Sequence, residues 1–148
     1  MKEKQKRAFQ FFTEVGIIQQ LAGNMFNRRL PDGLHVSHFS VLNHMIRLGD
    51  DKTPLALADA FQVSKGTMTH TVATLERRGL VEVRPNTADG RSKLVFLTEA
   101  GRAFHSSAME SLTPMLDLLE REIDIDKMLK VLPVLEEVRR FLDDRRDL

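Results

Sequence analysis

The sequence predicts a mainly α-helical protein with one small β-hairpin, and three observations lead to this fold class. Two helical stretches joined by a tight turn lie between residues 53 and 79. Two short stretches typical of strands follow at residues 81–84 and 93–97, with a turn-forming loop between them. Long stretches with apolar residues at helical spacing occupy both ends of the chain.

The N-terminal part of the chain predicts two helices. The first covers residues 2–30, carries a wide apolar stripe and is expected to end at the Pro-Asp-Gly sequence of residues 31–33. Ser37 is expected to cap the second helix, which runs to about residue 48. The same spacing of apolar residues predicts one packed face for this second helix.

A short third helix begins the predicted helix-turn-helix unit. Thr53 is its expected cap, and Pro54 occupies the first helical position, where the missing amide of proline costs nothing. Leu55 and Ala58 are expected to pack inward, with Leu57 and Phe61 as further candidates. The turn that follows has Gln62 where many such turns contain glycine.

The central helix is predicted between Ser64 and Gly79. The hydroxyl of Ser64 can accept hydrogen bonds from the first-turn amides, and Gly79 is a typical residue just beyond a helix end. Met68, Val72 and Leu75 predict the packed face. The opposite face is expected to carry short polar side chains and a cation, at Lys65, Thr67, Thr69, His70, Thr71 and Thr74.

A basic hairpin is predicted directly after the central helix. Residues 81–84 alternate between apolar and charged side chains, which is the period of a half-buried strand. The loop at residues 86–92 contains Asp-Gly, and the second strand returns at residues 93–97. A helix that fits a major groove, with a basic hairpin beside it, predicts a winged helix-turn-helix that binds double-stranded DNA.

The C-terminal part predicts two further helices. Thr98 is expected to cap a long one, which Pro114 should kink. Asp124 or Asp126 is expected to cap the last, which Pro133 should bend.

Composition limits the classes of protein that the chain can belong to. At 148 residues and 42% hydrophobic residues, it predicts one domain, or one domain with appended helices. It contains no cysteine, which excludes disulfides, thiolate metal sites and cysteine nucleophiles. The N-terminus is basic but has no long apolar stretch followed by small residues, so we expect no signal peptide and a cytoplasmic protein without membrane spans.

The net charge of +1 conceals an uneven distribution. Residues 1–30 carry six Lys or Arg and two acidic residues, a balance of +4, and residues 64–93 carry six and three, a balance of +3. Residues 110–148 carry seven and eleven, a balance of −4. This pattern predicts that positive charge faces DNA. The alternative is an ordinary mixed surface in contact with solvent.

The terminal helices predict a homodimer. Residues 1–30 and 99–148 comprise 80 of the 148 residues and carry apolar stripes that are unfavourable in water. We expect these ends to pack together and against a second copy, with residues 31–98 forming the DNA-binding domain. A two-fold dimer would place two recognition helices about 34 Å apart, one turn of DNA.

About residues 37–102 resemble the MarR family of bacterial transcriptional regulators, and the most specific parts are the helix-turn-helix and the stretch LERRGLVEVRPNTADGRSKLVFLTEAG that follows it. The resemblance implies a dimeric winged helix, a palindromic operator and, in many members, a small anionic or aromatic effector that weakens DNA binding. It implies that Arg91 enters the minor groove while Asp89 holds a neighbouring basic residue. Many members have arginine where His70 stands, and a longer polar residue at Thr74.

Other basic residues near the hairpin have less specific predicted roles. Arg84 and Lys93 are expected to contact the DNA backbone. Arg77 and Arg78 are ambiguous, because either could bind phosphate or pair with Asp89 or Glu76.

An effector pocket is predicted between the DNA-binding part and the terminal helices, with candidate walls at Phe9, Phe12, Gly16, His38, Leu42 and Phe104. Each of these residues could equally belong to the core. The histidines raise the question of a metal site. His38 and His44 are six residues apart, about 240° around a helix, and cannot face one ion. His35 and His38 could do so only if the helix entry bends, so we predict no metal and no cofactor.

Two other functional classes compete with DNA binding. The sequence has no Gly-rich phosphate loop, no cysteine and no paired carboxylates in a plausible scaffold, which argues against an enzyme. A winged helix that binds another protein rather than DNA is the stronger alternative. The cluster of Arg84, Arg91 and Lys93 beside a threonine-rich helix favours DNA.

Overall fold

A computed structural model describes residues 1–146. Within them lie eight helices and one two-stranded hairpin, in the order α1 (Glu3–Asn27), α2 (Val36–Leu48), α3 (Pro54–Phe61), α4 (Lys65–Arg77), β1 (Val81–Pro85), β2 (Lys93–Leu97), α5 (Glu99–Glu110), α6 (Thr113–Glu122), α7 (Ile125–Leu129) and α8 (Leu132–Asp143). The predicted fold class is confirmed. The chain forms two compact units, of which the first comprises residues 1–111 and the second begins at Leu112.

The core of the first unit joins α2, α3, α4 and β2. Its large, fully buried side chains are Val41, Leu42, Met45, Leu57, Leu75 and Val95. The packed face predicted for the central helix is confirmed, since Met68, Val72 and Leu75 are all buried. Burying a side chain of this size contributes about 1.5–3 kcal/mol, so this contact fixes α4 on α2 and α3.

The helix-turn-helix forms as the sequence predicts, with one correction. The Thr53 hydroxyl caps α3 by accepting from the Ala56 amide at 3.1 Å. Gln62 adopts the left-handed conformation, with φ of 52°, and its side-chain amide donates to the Asp59 carbonyl. Leu55 does not pack inward and is 53% exposed. It lies two residues before the buried Leu57, about 200° away around the helix, so both cannot face the core.

The two ends of α4 are closed as predicted. The Ser64 hydroxyl accepts from the Thr67 amide at 3.1 Å. At the other end Gly79 has a φ of 70°, a region that glycine enters without strain. The Leu80 amide then donates to the Leu75 carbonyl at 2.9 Å, which completes the helix end and directs the chain into β1.

The hairpin is antiparallel, and its register pairs Val81 with Leu97 and Pro85 with Lys93. The loop is closed by a hydrogen bond from the Asn86 amide to the Ser92 carbonyl, at 3.1 Å. Thr98 follows β2 and caps α5 by accepting from the Gly101 amide at 3.0 Å.

Three expectations about helix ends are wrong. Ser37 does not cap α2, because the helix begins at Val36 and its N-cap is His35, two residues before Ser37. Pro114 does not kink one long helix but lies in the first turn of α6, and Pro133 likewise opens α8 instead of bending it. A proline inside a helix removes a hydrogen bond and clashes with the preceding turn, so two shorter helices form at each place. Of the two candidate caps, Asp124 is the one used, at the start of α7.

No helix within residues 1–146 is both long enough and apolar enough to cross a membrane.

Replacing Gly101 by alanine should destabilise the protein, because the new methyl group would collide with the Leu80 carbonyl oxygen, and neither backbone can move freely. We expect the free energy of unfolding to fall by about 1–3 kcal/mol or more. Gly23→Ala is the control, since nothing beyond the adjoining backbone of α1 lies within 4 Å of the methyl group that it adds. It should be neutral or stabilising, by up to about 1 kcal/mol. Urea denaturation followed by circular dichroism measures both, and an equal effect of the two substitutions would contradict the packing described.

Candidate nucleic-acid interface

The exposed face of α4 begins at its N-terminus. Lys65, Thr67, Thr69 and His70 are all exposed, as the sequence predicts. The Thr67 hydroxyl lies 2.9 Å from the Ser64 hydroxyl, so these two groups orient each other. The first-turn amides of the helix add a partial positive charge that favours an anion.

Two threonines of α4 differ from the expectation. Thr71 is buried, with 8% of its surface exposed, and its hydroxyl donates to the Thr67 carbonyl at 3.1 Å. It lies one residue before the buried Val72 and three after the buried Met68, so it borders the packed face. Its predicted place on the free face is therefore wrong. Thr74 is half-buried, and its hydroxyl accepts from Arg77 at 2.9 Å.

The tip of the hairpin is ordered by its own polar groups. An Asp89 carboxylate oxygen accepts from the backbone amide of Arg91 at 3.0 Å, and the Asp89 carbonyl accepts from the Ser92 amide at 3.1 Å. The contact from Asp89 thus reaches the backbone of its basic neighbour and not a side chain. Within residues 1–146 the Arg91 guanidinium has no ion pair, and it is exposed. An ordered backbone with a free cation suits an approach to a polyanion.

Arg84 lies on the face of the hairpin in a fixed position. Its guanidinium pairs with the Glu82 carboxylate at 2.8 Å and sits over the Phe96 ring, 4.6 Å from the centroid. The hydrogen bond and charge of Glu82 raise the pKa of Arg84, and the same contact lowers the pKa of Glu82.

Arg77 and Arg78, at the end of α4, both have partners away from the hairpin. Arg77 contacts Thr74, and Arg78 donates to the backbone carbonyl of Asp32. Neither pairs with Asp89 or Glu76, so one of the alternatives left open by the sequence does not occur in residues 1–146.

A cleft of about 620 Å³ separates the hairpin from the start of α4. It is lined by Thr53, Pro54, Leu55, Lys65, Thr69, Asn86, Asp89, Arg91, Ser92 and Lys93. These residues include three cations and one carboxylate, a local balance of +2. A second cleft of about 490 Å³ is lined by both strands of the hairpin and shares Arg91, Ser92 and Lys93 with the first. The cations of the hairpin therefore border both clefts and can meet the backbone of a nucleic acid that crosses this surface.

Five residues of this surface are missed by sequence reasoning. The sequence patterns indicate capping and packing roles for Thr53, Pro54 and Leu55, and turn roles for Asn86 and Ser92. No sequence signal indicates their place in the cleft, because the approach of α3 to the hairpin depends on tertiary packing.

The six residues predicted to line an effector pocket differ in burial. Phe9, Phe12 and Gly16 lie on the exposed face of α1, where Phe9 is 67% exposed. Leu42 has no exposed surface and belongs to the core. The effector pocket stays a prediction for this set, and its α1 residues are exposed because α1 packs on the core only at its C-terminal end, through Phe26. Phe104 is half-buried.

His38 has a defined structural role. Its Nδ1 accepts from the backbone amide of His35 at 3.0 Å, which helps cap α2, and the two rings stack at 5.8 Å. Burial lowers the pKa of His38, and the positive charges of His35, His70 and Arg78 lower it further. Burial also lowers the pKa of His44 and of His105. Within residues 1–146 no three His, Cys, Asp or Glu side chains are grouped to hold a metal ion.

Comparison with known protein families finds a match to part of the chain. Residues 32–92 match the sequence profile described as MarR family. None of the curated proteins compared with the chain matches it significantly.

Three solved structures are similar over most of the chain. A mutant MarR from E. coli has 26% identity and a TM-score of 0.71, covering 85% of this chain and 93% of that one. The transcriptional regulator BldR from Sulfolobus solfataricus has 24% identity and a TM-score of 0.73, covering 93% and 99%. A mutant MarR from E. coli complexed with operator DNA has 24% identity and a TM-score of 0.72, covering 93% and 99%.

Acidification should destabilise the fold through its histidines. In the unfolded chain an imidazole takes up a proton at its ordinary pKa of about 6.5, whereas the lowered pKa of His38 delays this in the folded chain. The folded state is therefore favoured above the ordinary pKa and loses this advantage as the pH falls. Each such histidine adds a slope of at most about 1.4 kcal/mol per pH unit.

His38→Gln tests the assignment, because glutamine at this position can still accept from the cap amide but cannot titrate. We expect similar stability near pH 7.5 and a shallower loss toward about pH 5.5, measured by urea denaturation across that range. A pH dependence identical to that of the unaltered protein would contradict the role given to His38.

Proposed function

Because this chain belongs to the MarR family of transcriptional regulators, we propose that it binds double-stranded DNA as a homodimer at a palindromic operator and represses transcription there. The family comprises regulators and not enzymes. A regulator of this kind acts on chromosomal DNA, so we propose that the protein is cytoplasmic.

The observation that carries this proposal is the cationic cleft between α4 and the hairpin. Lys65 stands at the start of the recognition helix, and Arg91 and Lys93 stand on the opposite wall. On double-stranded DNA, α4 would lie in the major groove, which admits a helix. The hairpin would then lie at the adjacent minor groove, which admits an arginine. The related structure of MarR with operator DNA supports this use of the fold.

We assign the following roles within that surface. Thr67, Thr69 and His70 face base edges, where threonine methyl groups can contact thymine. Lys65, Arg77, Arg84 and Lys93 contact phosphates, and Arg91 enters the minor groove. Asp89 keeps the hairpin tip in the shape that presents Arg91. Ser64 caps the start of the helix. The Thr74 hydroxyl accepts a hydrogen bond from Arg77 and so helps to hold that side chain. Thr71 is left out of the set because it is buried.

The proposed dimerisation region is residues 1–30 with residues 99–148, and residues 31–98 form the DNA-binding domain. Large apolar side chains are exposed on α1, at Phe9, Phe12, Ile18 and Leu21, and on α8, at Val134, Phe141 and Leu142. Apolar area of this extent favours burial against a second copy. Two copies double the phosphate contacts and set the spacing of the two recognition helices.

An effector of small aromatic or anionic type would act by changing that spacing. To weaken DNA binding, the effector must bind the DNA-incompetent arrangement of the dimer better than the competent one. The walls of its site would come from the assembled dimer, since Phe9, Phe12 and Gly16 are exposed in one chain.

Selection of bound sequences from random duplex DNA at two salt concentrations tests the proposal. We expect a palindrome whose half-sites lie about one helical turn apart, and sedimentation equilibrium should give a dimer. The alternative is a winged helix that binds another protein. Absence of any enriched sequence at low salt would contradict DNA recognition and favour that alternative.

Arg91→Ala should weaken binding to the selected operator by about 1–3 kcal/mol, because it removes the cation that the hairpin tip presents to the minor groove. Fluorescence anisotropy with labelled operator measures the affinity. Arg91→Lys keeps the charge but not the guanidinium and should recover part of the loss. Lys130→Ala removes an exposed cation from outside the helix-turn-helix and hairpin and is the matched control. An unchanged affinity of Arg91→Ala at moderate salt would refute the assignment.

Lys93→Ala and Arg84→Ala should each reduce the slope of log affinity against log salt by about one unit, because each removes one phosphate contact. The relative affinity for different sequences should stay the same. A loss of sequence preference with an unchanged salt slope would instead mark these residues as readers of bases.

A further inference from the structure

The turn between α2 and α3 is attached to the base of the hairpin. Two of its residues have positive φ, Gly49 at 96° and Asp51 at 59°, and the side chain between them belongs to Asp50. One carboxylate oxygen of Asp50 accepts from the backbone amide of Leu97 at 2.8 Å. The other accepts from the Arg102 guanidinium at 2.8 Å. Asp50 therefore joins three elements, which are the α2–α3 turn, the end of β2 and the first turns of α5.

A second attachment lies beside it. The amide of Val95 donates to the carbonyl of Lys52 at 2.9 Å. In a strand the amides of residues two apart point to the same side, so Val95 and Leu97 both donate away from β1. The turn thus takes the place of a third strand at this edge, and the Asp50 carboxylate substitutes for one of its carbonyl groups.

We propose that Asp50 is a positioning residue for DNA recognition, which fixes the angle of the hairpin so that Arg91 lies at a set distance from α4. The inference rests on the proposed function. Arg91 lies six positions before Leu97, a length of about 20 Å for an extended strand. A tilt of about 5° at the base would move the tip by about 1.7 Å over that length, which is more than the tolerance of a hydrogen bond.

The chemistry of the residue supports this role. A carboxylate offers two acceptors at once, and both are used here. An asparagine would keep an acceptor for the Leu97 amide but would turn a donor toward Arg102. The ion pair with Arg102 is partly exposed, with side-chain exposures of 53% and 31%, and such pairs contribute little to global stability. A change at Asp50 should therefore be felt more in the placement of the hairpin than in unfolding.

The test is a double-mutant cycle between Asp50 and Arg91, read by operator affinity. We expect Asp50→Ala to lower the affinity, and Arg91→Ala to cost about 3- to 10-fold less in that background than in the unaltered protein, as for coupled sites. Asp50→Asn and Arg102→Gln each remove the contact between Asp50 and Arg102 but keep an acceptor for the Leu97 amide. Both should give intermediate losses of affinity. Asp32→Ala removes an exposed carboxylate from the turn between α1 and α2, which has no role assigned in DNA binding or in the dimer, and is the matched control. Its effect should add to that of Arg91→Ala without coupling.

The outcomes separate the inference from the proposed function. If the unaltered protein selects an operator and the effects of Asp50 and Arg91 simply add, for Asp50→Asn as well as Asp50→Ala, the positioning role is refuted while DNA recognition stands. The positioning role is also refuted if the Asp50 variants lose apparent operator affinity only because a smaller fraction of the protein is active, as measured by stoichiometric titration. If the unaltered protein selects no sequence, the proposed function fails first and this inference fails with it.

Discussion

The arrangement of this protein depends on one cluster of contacts at the base of the hairpin, where the chain leaves α4 and later enters α5. The Thr98 hydroxyl donates to the Gly79 carbonyl at 2.6 Å and also accepts from the Gly101 amide, so one side chain joins the end of α4 to the start of α5. The Thr98 amide donates to the Leu80 carbonyl. Because Gly101 has no side chain, α5 can approach that same carbonyl. The hairpin is closed at its base by these contacts, and only its tip is free to meet a ligand.

Charge is organised around that free tip. The chain has a net charge of +1, yet the cleft between α4 and the hairpin has a local balance of +2. Arg84 is held by Glu82 and Phe96, whereas the charge of Arg91 is left unpaired within residues 1–146. The two arginines are therefore suited to different tasks. One is fixed against the sheet by its two partners, and the other is presented by the loop and is exposed.

Local patterns predicted the elements well, and the failures have physical causes. Ser64, Gly79 and Thr98 act on neighbouring amides or on their own backbone, so their roles can be seen in the sequence. The cap of α2 was mistaken for two reasons. The His35 amide bonds to the ring of His38, and histidine is not among the usual capping residues. The Val36 amide bonds to Asn27 on α1, a contact that forms only after folding. The cleft was predicted only in part, since its α3 wall depends on packing. Asp50 bonds to residues 47 and 52 positions away, and no periodicity could indicate them.

The first helix has a consequence for how the protein behaves at different concentrations. α1 is 25 residues long, and Phe26 near its end is its one buried residue. A helix that is held only at one end gains little from tertiary packing, and helices in water depend on such packing for much of their stability. Its apolar face must be covered for its far end to stay ordered. The rate of amide hydrogen exchange along α1 therefore reports assembly directly, falling toward its N-terminus as the concentration of the protein rises.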